Sequence, residues 1–170
     1  GGSRPTGIRA AETPADDVAE YQPRWRSHTV DSTQYRKVFL AGTIDMGRSS
    51  DWQAALVARF RDSIGGRWLF FNPRRREFHA SPAEMEYQVA WELAHLEAAD
   101  LIVMNLLGDS RSPISLLEMG LYARSGKLFV ACSPDYYRYD NVRITCRRYG
   151  VPLYDSLTAL LDDLPQQSDE

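Results

Sequence analysis

The stretch Lys37-Val38-Phe39-Leu40-Ala41-Gly42 decides the fold class of this chain. It is a short apolar run that ends in glycine, a pattern that predicts a buried strand followed by a turn. Further apolar runs of the same character occur at 68–71, 101–104, 128–131 and 151–154. Segments with helical spacing alternate with these runs. The pattern therefore predicts an α/β domain with a five-stranded, doubly wound parallel sheet of flavodoxin-like or Rossmann-like type.

Length and composition predict one folded domain with an unordered segment at each end. The 170 residues are 44% hydrophobic and 25% charged, which is ordinary for a globular protein. Residues 1–35 lack apolar periodicity and are expected to form a flexible arm, beginning with the expression scar Gly1-Gly2-Ser3. We expect the folded domain over 36–165 and a disordered tail over 166–170.

Charge and residue content exclude several classes of function. The 20 basic and 23 acidic residues give a net charge of −3, which argues against a nucleic-acid partner. Two cysteines and three scattered histidines favour neither a disulfide framework nor a zinc site. No apolar run approaches the roughly 20 residues of a membrane span. We therefore expect a cytoplasmic protein without a metal, a cofactor or a membrane partner.

The loop after the first strand, Gly42-Thr43-Ile44-Asp45-Met46-Gly47-Arg48-Ser49, nearly spells the phosphate-binding motif G-x-x-x-x-G-K-[ST]. Arg48 replaces the lysine, and Asn105 stands where an aspartate would help to hold Mg²⁺, so the pattern argues against a P-loop NTPase. Two interpretations remain. The loop either offers backbone N–H groups to a phosphate or sugar, or it is a plain strand-to-helix turn.

The segment Asn72-Pro73-Arg74-Arg75-Arg76 follows the second predicted strand. Ligands of doubly wound sheets bind at the carboxyl ends of the strands, so these arginines lie where a ligand is expected. They either attract a phosphate or carboxylate or belong to a solvated loop.

Glu118 is the first of two glutamates with candidate chemistry. Ser112 and Pro113 predict a helix start, with Ser112 as the N-cap, and Glu118 then falls in the second turn. We expect the apolar residues of this helix to point inward, namely Ile114, Leu117 and Leu121. A carboxylate among them is costly to desolvate unless it has a partner or a function. The alternative is a glutamate on the polar edge of the helix.

Glu92 is the second glutamate and lies one predicted helix earlier. Val89 and Leu96, at i−3 and i+4, place it beside an apolar stripe that also contains Met85 and Leu93. Two carboxylates on successive helices of one sheet can converge on a cleft. Such a pair suits a nucleophile with an acid/base partner, as in glycosyl transfer.

Taken together, four segments resemble the nucleoside 2-deoxyribosyltransferase superfamily. They are 39–44, 71–75, 91–100 and 112–120, and the resemblance extends over 37–164. The likeness is greatest to the nucleoside 2-deoxyribosyltransferase-like branch, which is related to the 2′-deoxynucleoside 5′-monophosphate N-glycosidases. It implies cleavage of the N-glycosidic bond of a deoxynucleoside or its monophosphate, with the sugar passed to another base or to water.

The resemblance also implies roles for single residues. Glu118 matches the nucleophile, and Glu92 takes the place of an acidic residue, usually aspartate, that handles the base. Ser112 matches the serine that contacts phosphate in the monophosphate N-glycosidases. Gly42-Thr43-Ile44 with Arg48 is similar to their phosphate loop.

Two positions depart from the family pattern. Phe39 stands where the family commonly has a tyrosine that orients the nucleophile, and Tyr122 is the candidate substitute. Asp45 stands where the monophosphate glycosidases have arginine, which leaves other ribosyl substrates open. A non-catalytic nucleotide-sensing module that uses the same pocket is therefore the alternative to an enzyme.

The predicted substrate-binding residues lie in loops that follow the strands and at the start of the helix after the third strand: Gly42, Thr43, Ile44, Asp45, Arg48, Asn72, Arg74, Ser112, Ser115 and Asn141. The partner they imply is a nucleoside or nucleotide. Family members complete their site with a residue from a neighbouring subunit, and Asn141 is the candidate here. We therefore expect a homo-oligomer, a two-fold dimer or a multiple of one, assembled through the aromatic stretch 136–141.

Overall fold

The computed structural model describes residues 17–45 and 48–168, in which strands alternate with helices. The strands are β1 (Val18–Gln22), β2 (Trp25–Arg26), β3 (Arg36–Gly42), β4 (Trp68–Phe71), β5 (Leu101–Leu106), β6 (Leu128–Cys132) and β7 (Leu153–Tyr154). The helices are α1 (Trp52–Arg59, continued by a π-helical turn over Phe60–Ile64), α2 (Pro82–Ala98), α3 (Pro113–Tyr122), α4 (Tyr139–Tyr149) and α5 (Leu157–Ser168).

All of these strands lie in one sheet with the order β2-β1-β4-β3-β5-β6-β7. The pairs from β1 to β7 are parallel, and the β1–β2 hairpin at the edge is antiparallel. Counted from β3, the last five strands follow the order 2-1-3-4-5, which is the flavodoxin-like arrangement. The predicted doubly wound α/β fold is therefore confirmed.

The ends of the chain differ from the prediction. β1 pairs with β4 from Val18↔Trp68 to Tyr21↔Phe71, so the sheet has seven strands and not five. The prediction of a flexible arm up to residue 35 was therefore wrong from residue 18 onward. Residues 1–16 lie outside the described part of the chain. α5 likewise continues to Ser168, into the predicted tail over 166–170. The signal for β1 was weak because the strand has five residues, and its pairing with β2 and β4 arises only in the sheet.

The two faces of the sheet carry separate apolar layers. Because side chains alternate along a strand, Val38 and Leu40 point to one face and Phe39 and Ala41 to the other. α1 and α5 cover the first face, and α2, α3 and α4 cover the second. Helices on both faces explain why the central strands are apolar throughout.

α2 and α3 are rotated relative to the prediction. Ile114, Leu117 and Leu121, which were expected to point inward, are 54–60% exposed, so that prediction was wrong. The buried side chains of α3 are instead Ser115, Glu118 and Met119. On α2, Leu96 is buried while Met85, Val89 and Leu93 are 46–49% exposed. The face of α3 that carries Ser115, Glu118 and Met119 therefore meets the sheet, and the face that carries Ile114, Leu117 and Leu121 points outward.

Gly42 at the end of β3 permits a close approach to β5. Its φ of 122° lies in a region that L-residues rarely adopt, and a Cβ there would lie 2.2 Å from the Asn105 carbonyl oxygen. The resemblance assigned this glycine to phosphate binding. The fold itself already requires glycine at this position, because a side chain would collide with β5.

We expect Gly42→Ala to destabilise the protein by about 3 kcal/mol or more, because a methyl group collides with rigid backbone in a disfavoured conformation. Urea unfolding measures this change. Gly120→Ala is the matched control, since a Cβ at Gly120 within α3 meets nothing within 4 Å. It should be neutral or stabilise by up to about 1 kcal/mol. Equal stability of the two variants would contradict the steric argument.

Candidate functional site

The candidate site lies at the switch point of the sheet, between β3 and β5. The chain leaves β3 for α1 on one face and leaves β5 for α3 on the other. Thr43 N–H donates to the Asn105 carbonyl at 2.9 Å, which holds the two diverging loops together at their origin. A crevice at such a point is where doubly wound sheets bind their ligands.

Three buried hydroxyl groups form a closed cluster between these loops. Thr43 Oγ1 lies 2.9 Å from Ser110 Oγ and 2.8 Å from Ser112 Oγ, and the two serine oxygens are 3.0 Å apart. Thr43 Oγ1 also accepts the N–H of Leu107, and Ser110 donates to the Leu107 carbonyl. Because the Ser110 proton goes to the Leu107 carbonyl, only the hydroxyl protons of Thr43 and Ser112 remain for the three contacts within the cluster. The cluster therefore has more acceptors than donors.

Ser112 is the N-cap residue of α3, as predicted, but its side chain does not cap the helix. Its backbone is left-handed, with φ 49° and ψ 53°, and within the described residues its side chain makes no capping hydrogen bond. The hydroxyl belongs to the buried cluster instead. Ser115, three residues further on, is 4% exposed and lies on the same buried face of α3 as Glu118.

Asn72 and Arg74 are bonded to other parts of the protein. The Arg74 guanidinium donates to the carbonyls of Ser49 at 2.7 Å and Ser50 at 3.0 Å. Asn72 donates to Glu20 Oε2 at 2.8 Å and accepts the N–H of Arg74 at 3.0 Å. The Arg74 bonds fasten the loop after β3 to the loop after β4, and the Asn72 bond to Glu20 ties the loop after β4 to β1. Both residues thus shape the rim of the site, and direct substrate contact by either stays a prediction.

Glu118 and Glu92 form a hydrogen-bonded carboxyl pair beside the switch point. Glu118 lies in the second turn of α3 and is 7% exposed, whereas Glu92 on α2 is half-buried. Burial, the hydrogen bond to Glu92 and the negative charge of Glu92 together raise the pKa of Glu118 to about 9. At neutral pH the pair therefore holds a proton at Glu118. The convergence of these two residues agrees with the sequence prediction.

The residues around the pair decide how it is oriented. Gln88, one turn before Glu92, donates from Nε2 to Glu92 Oε2 at 2.7 Å. The Tyr122 hydroxyl donates to Glu97 at 2.9 Å, so Tyr122 is engaged elsewhere and does not replace the missing family tyrosine. Phe39 is fully buried, and its ring centroid lies 6.3 Å from that of Trp91.

The remaining predicted residues lie further out. Ile44 and Asp45 are half-buried, and Asp45 has a left-handed φ of 51°. Arg48 is exposed, and the two residues before it lie outside the described part of the chain. Asn141 is exposed in the first turn of α4 and not in a loop, so its predicted placement was wrong.

The chain matches the family described as nucleoside 2-deoxyribosyltransferase like over residues 35–136, which is more than half of its length. This protein belongs to the nucleoside 2-deoxyribosyltransferase-like family. The matched residues include Glu92, Glu118 and both loops of the switch point, but neither β1 nor Asn141. Comparison with curated proteins gives no match.

Two further properties of the described residues bear on the site. In the described residues, no three His, Cys, Asp or Glu side chains are grouped so that they could hold a metal ion. The helices of the same residues include none with the length and apolar character needed to cross a membrane.

Sequence reasoning missed two residues of the site, Ser110 and Gln88. Ser110 completes the hydroxyl cluster, and its signal was its place in the loop that leaves β5. Gln88 precedes Glu92 by four residues, which is the spacing that brings side chains together on a helix. That spacing was available in the sequence.

Glu118→Gln is expected to stabilise the fold at alkaline pH. Between its ordinary pKa of 4.5 and about 9, Glu118 keeps a proton in the folded protein that the unfolded chain has released. Raising the pH through this interval therefore favours unfolding of the wild type. Glutamine cannot ionise, so the variant should gain about 1–4 kcal/mol at pH 8 and little at pH 4.

Urea unfolding at several pH values measures this difference. Glu86→Gln, at an exposed position of α2, is the control and should follow the wild type. A stability difference between Glu118→Gln and wild type that does not vary with pH would contradict the assigned proton.

Proposed function

We propose that this protein cleaves the N-glycosidic bond of a (deoxy)nucleoside or nucleotide through a covalent glycosyl–Glu118 intermediate. The observation that carries the proposal is the buried Glu118 carboxyl, hydrogen-bonded to Glu92 at the switch point of the sheet. Two carboxyl groups with one proton between them supply a nucleophile and a general acid. Membership of the nucleoside 2-deoxyribosyltransferase-like family supports the same chemistry.

In the first half of the reaction the proton of the pair passes from Glu118 to Glu92. The Glu118 carboxylate then attacks C1′ of the sugar, and the bond from C1′ to the base nitrogen breaks. The electron pair of that bond goes to the base, and Glu92 delivers its proton to a base nitrogen as the base departs. A covalent ester between Glu118 and the sugar remains, and Glu92 is left as a carboxylate.

In the second half Glu92 acts as the general base. It removes a proton from water or from the nitrogen of an incoming base, which attacks C1′ and displaces Glu118. Attack by a base completes a transfer, and attack by water completes a hydrolysis. The pair regains its proton at the end of the cycle.

The proposal assigns the sugar end of the substrate to the loop after β3 and the start of α3. A 5′-phosphate there would meet backbone N–H groups at a helix N-terminus whose side-chain cap is missing. Ser112 and Ser115 are the nearest hydroxyls on α3, and Arg48 is the cation of the loop. Thr43 is fully buried, so its part is to hold the loop in place.

A non-catalytic nucleotide sensor is the second candidate function. One observation favours it: within the described residues no tyrosine hydroxyl bonds Glu118, because Phe39 is apolar and Tyr122 is bonded to Glu97. Nucleotide binding without release of free base would favour the sensor. Release of base would favour the enzyme.

We expect Glu118→Gln to lower base release by at least about 10³-fold, because the amide is a poor nucleophile. Glu92→Gln should cost about 10²- to 10⁴-fold through loss of the general acid. Wild-type activity should fall as the pH rises above about 9, where the pair loses its proton. Chromatography of free base, with deoxynucleosides offered with and without a 5′-phosphate, measures each effect.

Ala55→Lys, an exposed change on α1, is the control for these variants and should retain wild-type turnover. Full activity in folded Glu118→Gln would refute the covalent intermediate. Equal activity on nucleosides and monophosphates would refute the phosphate assignment alone.

The proposal includes a homo-oligomer that assembles through the outward face of α2 and α3. This apolar face consists of six side chains that are 46–60% exposed: Met85, Val89, Leu93, Ile114, Leu117 and Leu121. Its exposed area is on the order of 500 Å², similar to the largest apolar patches of monomers and more than half of what one partner contributes to a standard interface. A groove of about 550 Å³ runs along it, lined by Leu93, Ala94, Glu97, Leu121 and Tyr122.

The apolar face replaces the aromatic stretch 136–141 as the proposed interface. Tyr136 is 2% exposed, and its hydroxyl donates to the Arg111 carbonyl, so this tyrosine packs on its own chain, although Tyr137 is 49% exposed. The two helices that form the apolar face, α2 and α3, also carry Glu92 and Glu118. A second copy on the apolar face would therefore cover the flank of the site and keep water from the glycosyl intermediate.

We expect light scattering to give at least twice the chain mass of 19.3 kDa. Leu117→Lys should yield a monomer with reduced transfer to a base, because a lysine on both copies would be buried against an apolar surface. Ala55→Lys introduces the same charge on the opposite layer of the domain and should leave the assembly intact. A wild-type monomer with full turnover would refute the interface.

A further inference from the structure

Gln88 holds Glu92 in one fixed orientation. Its Nε2 donates to Glu92 Oε2 at 2.7 Å and to the Pro73 carbonyl at 3.1 Å. Both neighbours of this nitrogen are acceptors, so a flipped amide would set its oxygen against two oxygens. Hydrogen bonding therefore requires the amide nitrogen, and not the amide oxygen, to face Glu92. The Gln88 side chain is held between α2 and the loop after β4.

The oxygen of the same amide has no donor. Within the described part of the chain, Gln88 Oε1 is buried from solvent and accepts no hydrogen bond. Oε1 and Nε2 share one carbon, so Oε1 lies within about 5 Å of the Glu92 carboxylate. Buried acceptors in native proteins nearly always have a donor, and an exception requires an explanation.

We infer that Gln88 selects nucleobases whose exocyclic amino group adjoins the ring nitrogen that Glu92 protonates. The inference rests on the proposed function and names its substrate class. Adenine has the acceptor N7 beside the donor N6, and cytosine has N3 beside the N4 amino group. Glu92 would donate to the ring nitrogen of such a base while Gln88 Oε1 accepts from its amino group.

Bases with an oxygen at the same place lack this match. Guanine and hypoxanthine have O6 beside N7, and uracil and thymine have O4 beside N3. The base oxygen would face Gln88 Oε1, which would leave two buried acceptors in contact without a proton. A site that hydrogen-bonds one substrate group in this way discriminates strongly against the analogue without it. We expect about 10- to 1000-fold in kcat/KM between amino and oxo bases.

Matched substrate pairs test this selectivity directly. 2′-Deoxyadenosine is compared with 2′-deoxyinosine, and 2′-deoxycytidine with 2′-deoxyuridine, each with and without a 5′-phosphate. The wild type should prefer the amino member of each pair. Gln88→Leu should bring the ratio within about threefold, and Gln88→Met serves if the leucine variant does not fold. Glu86→Gln, two residues away and exposed, should retain the wild-type ratio.

A binding measurement separates failure of this inference from failure of the proposed function. Calorimetry with Glu118→Gln compares the affinities of the same pairs without turnover. If no base is released by the wild type, the proposed function fails, and an amino preference in binding would still support the role of Gln88. Equal affinities, or no binding of any pair member, would overturn it.

Two kinetic outcomes would also overturn the selectivity. Equal losses on both members of each pair in Gln88→Leu would show that Gln88 only positions Glu92. Arg75 is the competing explanation within the chain, because its Nε and Nη1 are buried without acceptors and it bonds Glu84, one turn before Gln88. If Arg75→Met preferred amino bases and the wild type did not, Arg75 would be the partner of Gln88 Oε1 in the wild type.

Discussion

Removal of the Glu118 carboxyl from water is the constraint on which the site depends. A buried carboxyl favours its neutral form unless an opposite charge lies beside it, and its hydrogen-bonded neighbour here is another carboxyl. The pair therefore keeps a proton that the unfolded chain would release. A group that destabilises the folded state at neutral pH is a common feature of functional sites, where stability and reactivity make opposite demands.

Hydrogen bonds hold the loops and side chains around the carboxyl pair in place. The hydroxyl cluster of Thr43, Ser110 and Ser112 joins the two loops at the switch point, and Arg74 fastens the loop after β3 to the loop after β4. Gln88 fixes Glu92 from its own helix. Rigid neighbours of this kind hold reacting groups near their working geometry and reduce the reorganisation that a reaction would otherwise require.

The rotation of α3 links the site to the outer surface. A helix that turns Ser115, Glu118 and Met119 to the sheet presents its opposite face outward, and Leu117 and Leu121 are more than half exposed as a result. α2 does the same with Val89 and Leu93 beside Glu92. The buried Glu118 carboxyl and the exposed apolar face thus have one physical origin.

The sequence by itself predicted the doubly wound sheet and the convergence of Glu92 and Glu118. Apolar runs that end in turns report burial directly, and four-residue spacings report helix faces, so β3 to β7 and the stripe around Glu92 were predictable. The number of strands, the left-handed Ser112 and the outward face of α3 were not. β1 gains its place in the sheet by pairing with β4 as well as with β2, and the Ser112 hydroxyl gains its partners from Thr43 and Ser110. Which side of an amphipathic helix meets the sheet depends on packing between distant segments, and only the tertiary structure decides it.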